Sequence, residues 1–381
     1  MNKKERVLAA INLKEVDKIP TSYRASNYLS ENLMKYFKIE DPSDFGKNYK
    51  RLLNEIGADF WSSGSKIDKF STFIPEYKGQ SPKPPYVDDG TLFYALGIKS
   101  KIGRMSKYNI EYPNVGIDPP LANINSSHEI KNGFLTSRLN LFDFKSMKNK
   151  YDIEDLNYEN IKDSNDDLIC IGTLSSLFMI CCYLRGMENF LVDLIYNTRV
   201  AECIIDEVGK FCLEFNRREL LEFGDRAVYY GTWDDVAGQS GMMFSPKLFK
   251  KYFLPVYKKL IENVKKYNLF FGWHCCGNVH DVLPLMIDAG IDVFDVVQTS
   301  ARGMELENVY KLYGKDICFH GGIDVQKLLV EKTPKEVKEE VKKVINLWGD
   351  RGGMILAPSH EILPDAPIEN VLAIYETVNE C

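Results

Sequence analysis

The stretch Trp273-His274-Cys275-Cys276-Gly277 sets an imidazole and a thiol two positions apart. In an extended strand, residues i and i+2 point to the same side, so His274 and Cys276 converge while Cys275 turns away. The pair suits zinc, which binds histidine nitrogen at about 2.0 Å and thiolate sulfur at about 2.3 Å. His360, in Ala357-Pro358-Ser359-His360-Glu361, is expected as the third ligand. Three protein ligands leave a fourth position open, as catalytic zinc sites do. A plainer reading makes Cys276 a small buried hydrophobe and His274 an ordinary histidine.

A second group is Tyr229-Tyr230-Gly231-Thr232-Trp233-Asp234-Asp235, followed by Gly238-Gln239. Asp234 and Asp235 are candidates for acid–base work. They are adjacent, so one faces a pocket and the other caps a helix or orients a ligand histidine. Tyr230 and Trp233 are candidates to stack on a flat substrate, or are core. Gln239, Arg24 and Gln298 complete the candidate substrate-binding set, with Asp59 a weaker pocket candidate. His320-Gly321-Gly322-Ile323-Asp324 reads as a tight turn with Asp324 as an N-cap. There is no Walker or dinucleotide fingerprint and no Gly-x-Ser-x-Gly elbow.

These residues need elements to hold them. Eight short apolar runs read as buried parallel strands: 17–23, 58–63, 168–174, 227–233, 270–276, 293–298, 316–322 and 353–359. Continuous runs, rather than alternation, mark strands covered on both faces. Helix starts separate them: Ser245-Pro246 before 248–267, the capping box Thr333–Glu336 before 335–348, and Pro367 before 368–378. Gly290 is expected to close a helix in 278–289. The alternation predicts an α/β fold, a (β/α)8 TIM barrel, whose chemistry lies at the C-terminal strand ends. Three of the five histidines, His274, His320 and His360, fall at such ends. The chain reads as one domain over 1–381. Residues 64–167, between the second and third strands, form an insertion expected to cover the barrel mouth.

The formal charge of -6 over 381 residues offers no basic stripe for nucleic acid. No apolar run is long enough to span a membrane, and no signal peptide is read at the start. Nine cysteines, an odd number that includes the adjacent pairs 181–182 and 275–276, argue for a reducing, cytoplasmic setting. Composition leaves homo-oligomerisation open.

Several motifs together resemble the uroporphyrinogen decarboxylase superfamily. They are Arg6-Val7-Leu8-Ala9-Ala10-Ile11, Val16-Asp17-Lys18-Ile19-Pro20, Asp234-Asp235 with Gly238-Gln239, and Ser245-Pro246-Lys247-Leu248-Phe249. His274-x-Cys276-Gly277, Gly321-Gly322-Ile323-Asp324 and the tail Pro364–Asn370 add to them. The resemblance implies one of two chemistries. One branch decarboxylates uroporphyrinogen without a metal; the other holds zinc methyltransferases that exchange methyl groups with a corrinoid (cobalamin) protein. The zinc branch carries His-x-Cys and a later cysteine, where this chain has His360. The decarboxylase pattern clusters arginines after the first strand, where this chain has Arg24 alone in 21–28. One guanidinium cannot pair several carboxylates bidentately. The resemblance thus implies a corrinoid-dependent zinc methyltransferase. With His360 in place of cysteine the site is less thiolate-rich, which favours O-demethylation of a methoxylated aromatic donor. A metal-free decarboxylase is the alternative, and a barrel that only binds a corrinoid or tetrapyrrole is a third reading.

Overall fold

In the computed structural model each of the eight apolar runs coincides with a strand, the seventh running one residue further than read: β1 Ser22–Tyr23, β2 Phe60–Trp61, β3 Cys170–Ile171, β4 Tyr229–Trp233, β5 Phe270–His274, β6 Val293–Val297, β7 Cys318–Ile323 and β8 Met354–Pro358. The structure describes residues 1–39, 45–61, 75–83, 85–86, 93–105, 110–147, 170–172, 176–225 and 227–381. A six-stranded sheet runs β8-β7-β6-β5-β4-β3, all its pairs parallel. β1 pairs with β2 in parallel, and a bridge between Thr21 and Leu356 ties β1 to β8. The strands therefore follow the cyclic order of a barrel. The one contact that would close it, β2 to β3, is not seen among the described residues.

Strand alternation divides the side chains between two environments. Phe271, Trp273 and Phe294 face the helices; Trp273 packs against Phe249, Tyr257 and Phe294. On the inner face Val293, Cys318 and Ile355 form a separate apolar cluster with Val7, Ala10, Ile11 and Val16, against which Phe60, Tyr229 and Phe270 pack. Val7, Ala10 and Ile11 lie at i, i+3 and i+4 of the helix Lys3–Ile11, opened by an Asn2–Glu5 capping box. That helix covers the N-terminal strand ends with its apolar stripe, as a plug.

The plug is held by ions. Arg6 donates from Nε to Asp17 Oδ1 at 2.6 Å and from Nη2 to Asp17 Oδ2 at 2.9 Å, and it also reaches Asp59. Asp59 in turn accepts from the Thr21 amide at 2.8 Å. Buried and engaged by Arg6 and Thr21, Asp59 is thus an anchor of β1 rather than a pocket residue. Arg6→Met would strand the Asp59 carboxylate, whose side chain is 2% exposed. The expected cost is about 3–5 kcal/mol of unfolding free energy, the range for breaking a buried pair. A loss below about 1 kcal/mol in denaturant titration, the level of a surface pair, would contradict that role.

The expected caps hold. Thr333 and Glu336 form the capping box of Pro334–Trp348, and Gly290 ends Leu283–Ala289 in the left-handed conformation. The segment expected as one helix over 248–267 contains a wide turn at Phe249–Phe253 before Leu254–Lys265. Pro255 has no N–H to continue the ladder, and the wide turn accommodates it. Within 64–167 the described parts include an antiparallel pair, Lys99–Met105 with Ile110–Ile117. Residues 62–74, 87–92 and 148–169, with shorter gaps, lie outside the described residues. Phe93 packs its ring 5.8 Å from that of Trp233, and Arg185 binds the carbonyls of Leu121 and Ala122. No helix among the described residues is long and apolar enough to cross a membrane.

Candidate metal centre

Parallel pairing lines up four inward residues at one level: Trp233 opposite His274, His274 opposite Asp295, and Asp295 opposite His320. Asp295 lies between the two imidazoles. Its Oδ2 accepts from His274 Nδ1 at 2.7 Å and its Oδ1 from His320 Nδ1 at 2.7 Å. His320 Nε2 stands 2.6 Å from Ser22 Oγ. With Nδ1–H committed to Asp295, His274 turns Nε2 toward Cys276, 3.5 Å from its sulfur. Two donors on one tetrahedral zinc, at about 2.0 and 2.3 Å, stand about 3.5 Å apart.

Asp235 supplies the third group. One ligand atom each from Asp235, His274 and Cys276 lies within 4.8 Å of the others. Asp235 Oδ1 also accepts from the Cys276 amide at 2.8 Å, which fixes the thiol's backbone. The next amide, of Gly277, donates to Gln298 Oε1 at 2.8 Å. Gly277 has φ +89°, and a Cβ there would meet Gly238 O at 2.5 Å. Only glycine suits so tight a turn. Gln298 thus acts as a brace for the turn that carries Cys276.

Charge follows this geometry. Burial by itself lowers the His274 pKa, but Asp295 outweighs it and raises it to about 10. Asp295, desolvated yet facing two imidazoles, is held well below the usual carboxylate range. Cys275, which faces away, is fully buried, and its thiol is pushed well up, chiefly by burial.

The other sequence candidates are dispersed. Asp234 is fully buried; it accepts from the amides of Phe178 and Met179, both at 2.8 Å, and from Tyr257 Oη at 2.6 Å. It therefore caps the helix Leu177–Arg185, whose N-cap residue Ser176 makes no side-chain capping bond and donates its hydroxyl to the Trp233 carbonyl instead. Burial lifts its pKa to about 7. Tyr230 is also fully buried. Its hydroxyl donates to Glu219 at 3.0 Å and its ring stacks on Phe271, so it belongs to the helix-facing core. Trp233 is half-buried on the inner face. Gln239 is exposed. Arg24 is half-buried, with a buried Nε that has no hydrogen-bond partner. His360, exposed at the rim, is not part of the cluster; desolvation and then Arg24 lower its pKa, with a smaller contribution from His274. Sequence reading missed Asp295, although a lone acid inside Val293-Phe294-Asp295-Val296-Val297 is a signal that a charge has a buried partner.

A parallel α/β protein with the strand order of a barrel, and with an acid, a histidine and a cysteine gathered at its strand ends, is the class these features define. The family model for uroporphyrinogen decarboxylase (URO-D) matches residues 153–381, and the chain belongs to that family. It is 24% identical over 213 residues to the methylcobamide:CoM methyltransferase MtbA of Methanosarcina acetivorans, covering 55% of this chain and 58% of that protein. It is 26% identical over 216 residues to the uroporphyrinogen decarboxylase of Geobacter sulfurreducens, covering 55% and 59%. These matches span less than two thirds of either relative. A methyltransferase from Methanosarcina mazei shares the fold, with a TM-score of 0.65 at 18% identity over 100% of this chain and 99% of that one.

Proposed function

We propose that this chain is a zinc-dependent methyltransferase that moves a methyl group between a small substrate and the cobalt of a corrinoid carried by a partner protein. The observation that carries the reading is the Asp235–His274–Cys276 cluster, whose donor chemistry and spacing fit zinc. Bound there, zinc would supply Lewis acidity to the heteroatom that bears the methyl group. Asp235, His274 and Cys276 are the proposed ligands, with Asp235 in the place expected for His360. Asp295 orients His274, and Gln298 and Gly277 fix the turn under Cys276. His360 remains at the rim.

A donor set with one thiolate, one imidazole and one carboxylate gives less charge to the ion than a two-thiolate set. This favours oxygen over sulfur at the open position, hence a methoxylated aromatic donor. Trp233 offers a flat inner surface for such a ring, and Arg24 a half-buried guanidinium whose Nε has no hydrogen-bond partner. The reading includes a closed barrel as one domain, residues 64–167 as cover over its mouth, and a cytoplasmic setting that keeps Cys276 reduced.

The test mixes the zinc-loaded protein with a methoxylated aromatic compound and free cob(I)alamin, with absorbance reporting methylcobalamin. Methylcobalamin together with the free phenol is expected, and uroporphyrinogen should be left intact. Decarboxylation of uroporphyrinogen without methyl transfer would overturn the proposal in favour of the metal-free alternative.

A further inference from the structure

We infer that His320, seated on Ser22, is a positioning residue for the metal centre and acts through Asp295; this rests on the metal reading above. The chain of contacts is continuous: Ser22 Oγ to His320 Nε2 at 2.6 Å, His320 Nδ1 to Asp295 Oδ1 at 2.7 Å, and Asp295 Oδ2 to His274 Nδ1 at 2.7 Å. It ends at His274 Nε2, 3.5 Å from the Cys276 sulfur.

His320 itself is poorly placed to bind metal or substrate. It is 8% exposed, both ring nitrogens are engaged, and its ring lies stacked 6.0 Å from that of Phe60. Its remaining capacity is to hold. An ionised carboxylate only accepts hydrogen bonds, so Asp295 requires Nδ1–H on both imidazoles. On His274 this leaves Nε2 as the atom aimed at the cluster. On His320 it leaves Nε2 to Ser22, which fixes the ring from β1. Asp295 is thus gripped from both sides. Without His320, one carboxylate oxygen would lose its partner in a desolvated interior, and the carboxylate could rotate away from His274. Position is also set by the sheet, because His274, Asp295 and His320 sit opposite one another on three neighbouring strands.

The experiment measures zinc affinity by competition with a chromophoric chelator, and the absorption spectrum of the Co2+-substituted protein, on the full chain. His320→Leu is expected to weaken zinc roughly 10–100-fold, the range for losing an outer partner of a metal ligand, and to change the Co2+ spectrum. His320→Asn should restore most of the affinity, because its amide N–H lies close to where the imidazole Nδ1–H lies. Ser22→Ala, the mildest change and the fallback if His320→Leu does not fold, should shift affinity and spectrum in the same direction by less. A purely structural role would lower melting temperature and leave the metal properties of the folded protein unchanged. Equal affinities and identical spectra in the wild type, His320→Leu and Ser22→Ala would overturn the inference while leaving the metal reading intact. Failure of the wild type itself to bind zinc or Co2+ would overturn both.

Discussion

Cys276→Ala and His274→Ala are each expected to reduce zinc affinity by more than about a hundredfold, beyond the range for an outer partner, and to abolish methyl transfer. The two residues are adjacent donors in a cluster of three, so either loss leaves two donors. Asp235→Ala should fall in the same class, and His360→Ala should not. Affinity should also rise with pH. The His274 imidazole, lifted to about 10, carries a proton over most of the accessible range, and metal must displace it. Each displaced proton contributes about tenfold per pH unit. Without metal the sign reverses. A histidine whose folded pKa is raised contributes stability that is full below its unfolded value near 6.5 and is lost as pH rises through about 10. The metal-free protein should therefore weaken over the same alkaline window in which its metal affinity grows. Zinc titrations and melting curves across pH 6–10 check both slopes. Wild-type stoichiometry and affinity in Cys276→Ala would refute the site.

Asp234→Ala should act on folding and spare the metal. It would leave the amides of Phe178 and Met179 and the Tyr257 hydroxyl without their acceptor in a fully buried position. An orphaned buried donor costs about 1–3 kcal/mol. Part of that is offset because desolvation already opposes the Asp234 charge, so a loss of about 2–4 kcal/mol is expected. The pH dependence has a definite sign. The folded pKa is raised to about 7, so the contribution of Asp234 is full below its unfolded value and declines as pH rises through 7. The stability gap between wild type and variant should be widest in acid. Folded Asp234→Ala should bind zinc as the wild type does. A variant that melts normally but has lost its metal would exchange the roles given to Asp234 and Asp235.

The contrast between these neighbours shows what could be read in advance. Eight apolar runs sufficed to locate eight strands, because a strand covered on both faces must be apolar throughout. The fate of individual acids was less legible. That Asp234 and Asp235 must diverge follows from strand alternation, but which one turns inward depends on the register of β4 against β5. The third donor shows the same limit. His360 stands at the end of β8, three strands round from β5, whereas Asp235 follows β4, which pairs with β5 directly. Neighbouring strands are about 4.8 Å apart, so Asp235 is within reach of Cys276 by adjacency alone. Asp295 is not legible from strand ends, because it sits inside β6. The first strand, expected over 17–23, pairs with β2 only at Ser22–Tyr23, with Thr21 bridged to Leu356 of β8. Asp17 is taken by Arg6 and Pro20 has no amide to donate.

The apolar plug from Val7, Ala10 and Ile11 has a consequence for traffic. In the closed barrel proposed above, one end would be stoppered, and whatever enters would leave by the same door. A small donor, its demethylated product and a bulky corrinoid domain would then compete for a single doorway. The proposed exchange becomes a matter of taking turns, in which a lingering product blocks the next visitor. Product inhibition that is competitive against the corrinoid as well as against the donor is the kinetic mark of such a one-door enzyme.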